Sequence, residues 1–250
     1  MVCIINNWVG RLGNNILQLI RCIHFCLINN HNLIKFNNHN ILNKNYIELD
    51  NKITNLPIIQ DDFFSLKKFN IKDPEPYIMK EYYNKYIKNI VKIDTENIEK
   101  NNTDLFIHIR SGDTFTIPPP PYYVPPPLIY YNTLLNIYNK IHLIYEDDIN
   151  PCVNELKKNK KVISYNLNLE ETIKNLCKSE NLAIGFGTFG LLIYFMNIHI
   201  KKIYMPKYVY EEMPKGNWGI EIVLVDLPEY IKCGEWKCNK EQINMILNYK

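Results

Sequence analysis

From residue 104 onward, short apolar runs alternate with segments of helical periodicity, and few other features of this chain limit its possible folds as much. The runs cover 105–110, 142–145, 162–165, 182–184, 203–205 and 220–225. Helical spacing fills 128–139, the stretch after Pro151, the stretch from Asn168 to Leu176, and 191–196; a last helix is expected over 240–248. Asn150 and Asn168 are suited to cap their helices, and Pro151 fits a first helical position. Strand and helix in alternation at this pitch define an α/β chain with a doubly wound parallel sheet.

The N-terminal part opens on a strand, Val2-Cys-Ile-Ile, followed by a polar loop, Asn6 to Asn15. A helix over 14–28 follows, with Ile16, Leu19, Ile20, Ile23 and Leu27 at helical spacing. This strand–glycine loop–helix unit aims backbone N–H groups at a ligand, or is a plain connection. Runs at 33–36 and 46–49 read as strands. Pro74 and Pro76 suggest a loop, with helical pattern over 82–91. The expected division is a small α/β domain over 1–100 and a second, Rossmann-like α/β domain over 101–250.

In a parallel sheet every strand projects its carboxyl end from one edge, where ligands bind. That edge would gather His108-Ile-Arg110-Ser-Gly-Asp113, Glu146-Asp147-Asp148 and Gly185-Phe-Gly187-Thr188-Phe189-Gly190. Arg110 carries a permanent fork of donors suited to phosphate oxygens. Gly187 allows close approach, and Thr188 with the following N–H groups can cradle a phosphate at a helix N-terminus. Each segment taken alone also reads as a polar or glycine-rich turn.

His108-Ile-Arg110-Ser-Gly-Asp113 resembles the His-x-Arg-x-Gly-Asp motif of fucosyltransferases that use GDP-fucose, the alpha-1,2, alpha-1,6 and protein O-fucosyltransferases. Gly10-Arg11-Leu-Gly13-Asn14-Asn15 looks like their N-terminal Gly-(Gly/Arg)-(Leu/Phe)-Gly-Asn-Gln segment, with Asn15 at the Gln position. Tyr145-Glu-Asp-Asp148 is similar to their acidic strand end, and Gly187-Thr-Phe189 to their Ser-Ser/Thr-Phe segment. The resemblance implies a GT-B fold: two Rossmann-like domains facing a cleft, the N-terminal one trimmed in a chain of 250 residues. It implies an inverting, metal-independent sugar transfer, with no cofactor beyond the GDP-sugar substrate and a glycan or other hydroxyl as acceptor. Arg110 would bind the β-phosphate and stabilise departing GDP. Asp147 or Asp148 would accept from guanine, Thr188 and Phe189 would hold the diphosphate, His108 would line the pocket, and Asn14 would reach the donor. Asp113, Asp61 and Asp62 are the candidate bases. Tyr122, Tyr123, Tyr130 and Tyr131 could line a sugar site, or the proline-rich loop before them could be a stiff connection. The alternatives are a non-catalytic nucleotide-sugar-binding module, and a metal-dependent transferase using Glu146–Asp148.

Composition narrows the partners. A net charge of +3 implies no nucleic-acid partner, and no apolar run approaches a membrane span. With no signal-peptide pattern, a soluble cytoplasmic protein is expected. Seven scattered cysteines do not make a disulfide framework. Cys22 and Cys26 share a helix face, and Cys233 and Cys238 flank a turn, but nothing brings these pairs together as a zinc site. Buried apolar thiols are the expectation.

Overall fold

The computed structural model describes residues 2–50 and 57–250. It divides into two compact units. The first holds residues up to Glu96 together with Leu191–Met196 and Pro214–Gly219; the second holds the remainder.

In the first unit, β1 (Val2–Ile5) leads into α1 (Leu12–Ile28), then β2 (Leu33–Phe36), β3 (Tyr46–Glu48) and β4 (Ile59–Asp61). Among the described residues these strands form a sheet in the order β3-β2-β1-β4. β2 and β4 run parallel to β1, and β3 runs antiparallel to β2. The core forms where Cys3 and Ile5 of β1 meet the apolar stripe of α1, with Ile16, Leu19, Ile20 and Ile23 all within 1 % of full burial. Helix α1 begins at Leu12, two residues earlier than the apolar spacing predicts, so Gly13 and Asn14 lie in its first turn. Leu12 is itself buried, which draws the helix start back.

A second correction concerns the segment read as a loop at Pro74–Pro76. Pro76 occupies the first position of α2 (Pro76–Tyr82), where its missing N–H costs no hydrogen bond. The helical path continues through a π turn at Tyr83–Ile87 and a 3-10 turn at Lys88–Ile90. Strand β4 escaped the sequence reading because only three residues pair and the stretch carries Gln60 and Asp61.

The second unit bears out the predicted parallel sheet. It contains β5 (Asn101–Ile109), α3 (Leu128–Leu135), β6 (Ile141–Tyr145), α4 (Pro151–Lys157), β7 (Val162–Asn166), α5 (Leu169–Leu176) and β8 (Ser179–Ala183). Then follow α6 (Thr188–Met196), whose last six residues belong to the first unit, β9 (Lys202–Pro206), α7 (Lys207–Glu212), β10 (Glu221–Val225) and α8 (Lys240–Asn248). The six strands pair in the order β10-β9-β8-β5-β6-β7, every neighbouring pair parallel. Counted from β5 as the first, this is the doubly wound order 3-2-1-4-5-6, which reverses direction between β5 and β8.

Asn150 caps α4 by accepting from Cys152 N at 3.0 Å, and Asn168 caps α5 by accepting from Glu171 N at 3.0 Å, both as the sequence predicts. Helix α3 stops at Leu135, short of residue 139, because the Asn136 to Asn139 stretch gives little reason to continue. Tyr130 and Tyr131 are fully enclosed core residues of this helix and line no surface site; the Tyr130 hydroxyl donates to the carbonyls of Ile184 (3.1 Å) and Tyr204 (2.9 Å). No helix among the described residues is long and apolar enough to cross a membrane.

Candidate functional site

Three predicted strand ends meet at the carboxyl edge of the second sheet, and two of them, those of β5 and β8, flank its reversal point. Successive outward positions put His108 and Arg110 on the same face as β5 runs out. Arg110 is the first residue beyond the strand. Its guanidinium is held on one side by Asp113, with Nη2 at 3.1 Å from Oδ1 and 3.0 Å from Oδ2. On another side it lies over the Tyr123 ring, 4.2 Å from the centroid.

Gly187 supplies the third side. Its φ of +109° is a conformation L side chains rarely adopt, and a Cβ there would stand 2.7 Å from Arg110 Nη1. The sequence reads this glycine as permitting close approach; the group that approaches is the guanidinium. Helix α6 begins at the next residue, Thr188. Gly190, in the first turn, lets α6 settle on Ile184, where a Cβ would lie 2.8 Å from Ile184 Cδ1. The ring of Phe189 packs against that of His108 at 4.6 Å between centroids.

The acidic strand end is tied into the loop that follows β6. Ser111, fully buried, donates from Oγ to Asp147 Oδ1 and accepts the Asn150 N–H at 3.0 Å. Asn150 Nδ2 donates to the Arg110 carbonyl at 3.0 Å. Asp147 Oδ1 also accepts the Ile149 N–H at 2.9 Å. Ser111, Asp147 and Asn150 thus fasten the end of β5 to the loop after β6 and fix the backbone at Arg110. Asp148 is exposed and pairs with Lys157 at 2.5 Å. A Cβ on Gly112 (φ +55°) would lie 3.2 Å from Glu146 Oε2, so this carboxylate packs against the turn.

Two residues that motif reading passes over complete the surroundings. Thr114 is buried, and its Oγ1 has no hydrogen-bond partner among the described residues. It lines, with Arg110, Tyr123 and Phe186, a cavity of about 10 Å³, room for about one water. The guanidinium is therefore closely packed on this side. Tyr123 packs at a tilt against Phe186 (5.3 Å between centroids), so the proline-rich loop contributes one ring to the site floor, while Tyr122 is exposed. An unpaired buried hydroxyl, as at Thr114, has no signature in sequence.

Burial, reinforced by the Arg110 charge, pushes the His108 imidazole down to about 4. It is neutral at neutral pH and contributes no charge to the site. Because the folded value lies below the ordinary value of about 6.5, the unfolded chain takes up the proton first on acidification. Stability from this residue is complete above pH ~6.5 and falls as pH drops toward ~4. His108→Gln is expected to flatten the decline of the urea midpoint over that window. An unchanged pH slope in the variant would show that His108 is not its source.

The Gly10 loop of the first unit is ordered by buried amides. A Gly10 Cβ would collide with the Asn14 side chain, and φ at Gly10 is +70°. Gln18, fully enclosed, accepts from Val9 N (2.9 Å) and donates to the carbonyls of Asn7 (3.0 Å) and Asp62 (2.7 Å). Asn15 donates to Val9 O at 3.0 Å, and its Oδ1 meets His39 Nε2 at 3.1 Å. Arg11 is the N-cap residue of α1 without a side-chain cap bond. The candidate bases Asp61 and Asp62 close the turn after β4, accepting from Phe63 N and Phe64 N at 2.7 Å each, and both pair with Lys68.

Among the described residues one group of three metal-ligating side chains converges, Cys3, Cys22 and Cys26 in the first unit. Cysteine pairing at Cys233 and Cys238 plays no part in it. No family model, curated protein or solved structure matches this chain.

Proposed function

We propose that this protein is a nucleotide-sugar-dependent glycosyltransferase, with GDP-fucose as the favoured donor and a hydroxyl of a glycan or similar molecule as acceptor. The observation that carries this reading is the position of Arg110, at the reversal point of a doubly wound sheet, packed beneath Gly187 and the start of α6. A departing nucleoside diphosphate gains negative charge in the transition state. A fixed guanidinium beside N–H donors at a helix N-terminus stabilises that charge without having to reorganise. The buried Thr114 hydroxyl and the neutral His108 fit a wall that binds by hydrogen bonds and apolar contact around one cation. The GT-B arrangement and the inverting course belong to the same proposal.

In this reading Asp113 serves as the partner that aims Arg110, and Asp147 serves the loop through Ser111. Asp148, exposed beside the strand end, is the better candidate for accepting from the guanine amino groups. A metal-dependent transferase finds less support. Asp147 is turned to Ser111 and Asp148 to Lys157, and the three acidic residues at Glu146–Asp148 do not converge as a ligand set.

A thermal-shift panel of GDP-, UDP- and dTDP-sugars tests the donor. Stabilisation by GDP-sugars above the others is expected; no shift with any of them would overturn the reading. GDP-sugar binding with no sugar released to any acceptor or to water would favour the non-catalytic module. Asp148→Ala is expected to reduce the preference for GDP over UDP about tenfold, as for one hydrogen bond to a charged group. Equal selectivity in the variant would remove Asp148 from base recognition.

A further inference from the structure

Three of the seven cysteines come together in the first unit although they lie far apart in sequence. The alternation of β1 turns Cys3 toward α1, and the i, i+4 spacing of Cys22 and Cys26 stacks both sulfurs on the helix face that covers the sheet. All three are fully enclosed, and their sulfurs all lie within 4.8 Å of one another. None is disulfide-bonded.

A tetrahedral zinc ion with bonds of about 2.3 Å to sulfur separates its thiolates by about 3.8 Å. The cluster therefore needs side-chain adjustments of about 1 Å or less to close on an ion of that size.

We propose that Cys3, Cys22 and Cys26 form a three-thiolate site for a thiophilic divalent metal ion, zinc in the first instance. Charge selects the divalent ion. Three thiolates around Zn²⁺ leave a net charge of −1, whereas around Cu⁺ they leave −2, and an enclosed net charge is costly. Binding replaces the three S–H bonds by metal–sulfur bonds and releases three protons to solvent. The ion would tie β1 to α1, a structural task separate from the Arg110 edge of the other sheet.

Cobalt(II) is the spectroscopic probe. The reduced full-length chain, refolded with Co²⁺, is expected to bind one ion per chain with a sulfur-to-cobalt charge-transfer band and visible bands of tetrahedral intensity. Zn²⁺ should bleach them. Cys22→Ser should weaken Co²⁺ binding at least a hundredfold, while Cys233→Ser leaves it unchanged. If Cys22→Ser does not fold, alkylation of the wild-type chain decides: bound Zn²⁺ should protect Cys3, Cys22 and Cys26 during partial unfolding, as read by mass spectrometry. A folded, reduced chain without the charge-transfer band, equal alkylation with and without Zn²⁺, or a disulfide within the trio would overturn the proposal.

Discussion

Arg110→Ala is expected to lower kcat/KM for the sugar donor by about 10²–10³, corresponding to about 3–4 kcal/mol of lost transition-state stabilisation. The guanidinium is held at the meeting of β5 and β8, where Asp113, Tyr123 and Gly187 bound it on three sides. In the proposed transfer, removing it would leave the developing diphosphate charge to the N–H groups at the start of α6. Arg110→Lys keeps the charge but loses the planar fork and its stacking on Tyr123, so it should recover only part of the loss. Gly187→Ala tests the same point with Arg110 intact. The new Cβ would stand 2.7 Å from Nη1 at a φ of +109°. It should displace the guanidinium and weaken GDP binding, besides backbone strain of about 1–3 kcal/mol. Isothermal titration with GDP and initial rates on the donor measure both variants. Unchanged GDP affinity in Arg110→Ala, with the fold intact by circular dichroism, would sink the phosphate-binding role.

The second sheet was legible because each strand is a short apolar run with a polar or glycine-bearing end, and both Asn caps stand where capping chemistry requires them. The edge position of His108–Asp113 and Gly187–Phe189 followed from parallel strands alone. What each acidic residue does there did not follow. Asp147 looks like a ligand-facing carboxylate in sequence, yet it is bound to Ser111, a residue 36 positions away. Asp113, a candidate base in sequence, pairs with Arg110 three residues back. Such roles depend on rotamers and on the loop after β6, which carry no periodicity. Residues 30–100 were harder still, since β4 is short and partly polar, and Pro76 begins a helix where prolines usually mark loops. The thiol cluster was half visible. Cys22 and Cys26 share a helix face by spacing, but the third sulfur comes from β1, and only the packing of α1 on the sheet brings Cys3 to them.

Trp236→Ala is expected to be the most destabilising substitution in the second unit, by about 3–5 kcal/mol for the buried indole. Trp236 is 1 % exposed, packs edge-on to Phe115 at 5.8 Å and donates from Nε1 to the Thr114 carbonyl at 2.7 Å. The same stretch reaches the proline-rich loop, with Gly234 N and Trp236 N donating to the Pro121 carbonyl at 3.0 and 3.3 Å, and the Tyr230 hydroxyl to the Pro125 carbonyl at 2.9 Å. One segment near the C-terminus therefore braces both the turn that carries Asp113 and the loop that carries Tyr123, the two partners of Arg110. For a chain of this size the loss corresponds to a fall in Tm of roughly 10 °C. Trp236→Phe keeps most of the packing and gives up the hydrogen bond, so it should cost nearer 1–2 kcal/mol. The brace also makes a functional prediction: below its melting temperature, Trp236→Phe should raise the Kd for GDP, because the Thr114–Phe115 turn loses its anchor. GDP affinity equal to wild type in Trp236→Phe, with the expected small loss of stability, would confine Trp236 to the core and separate the brace from the site.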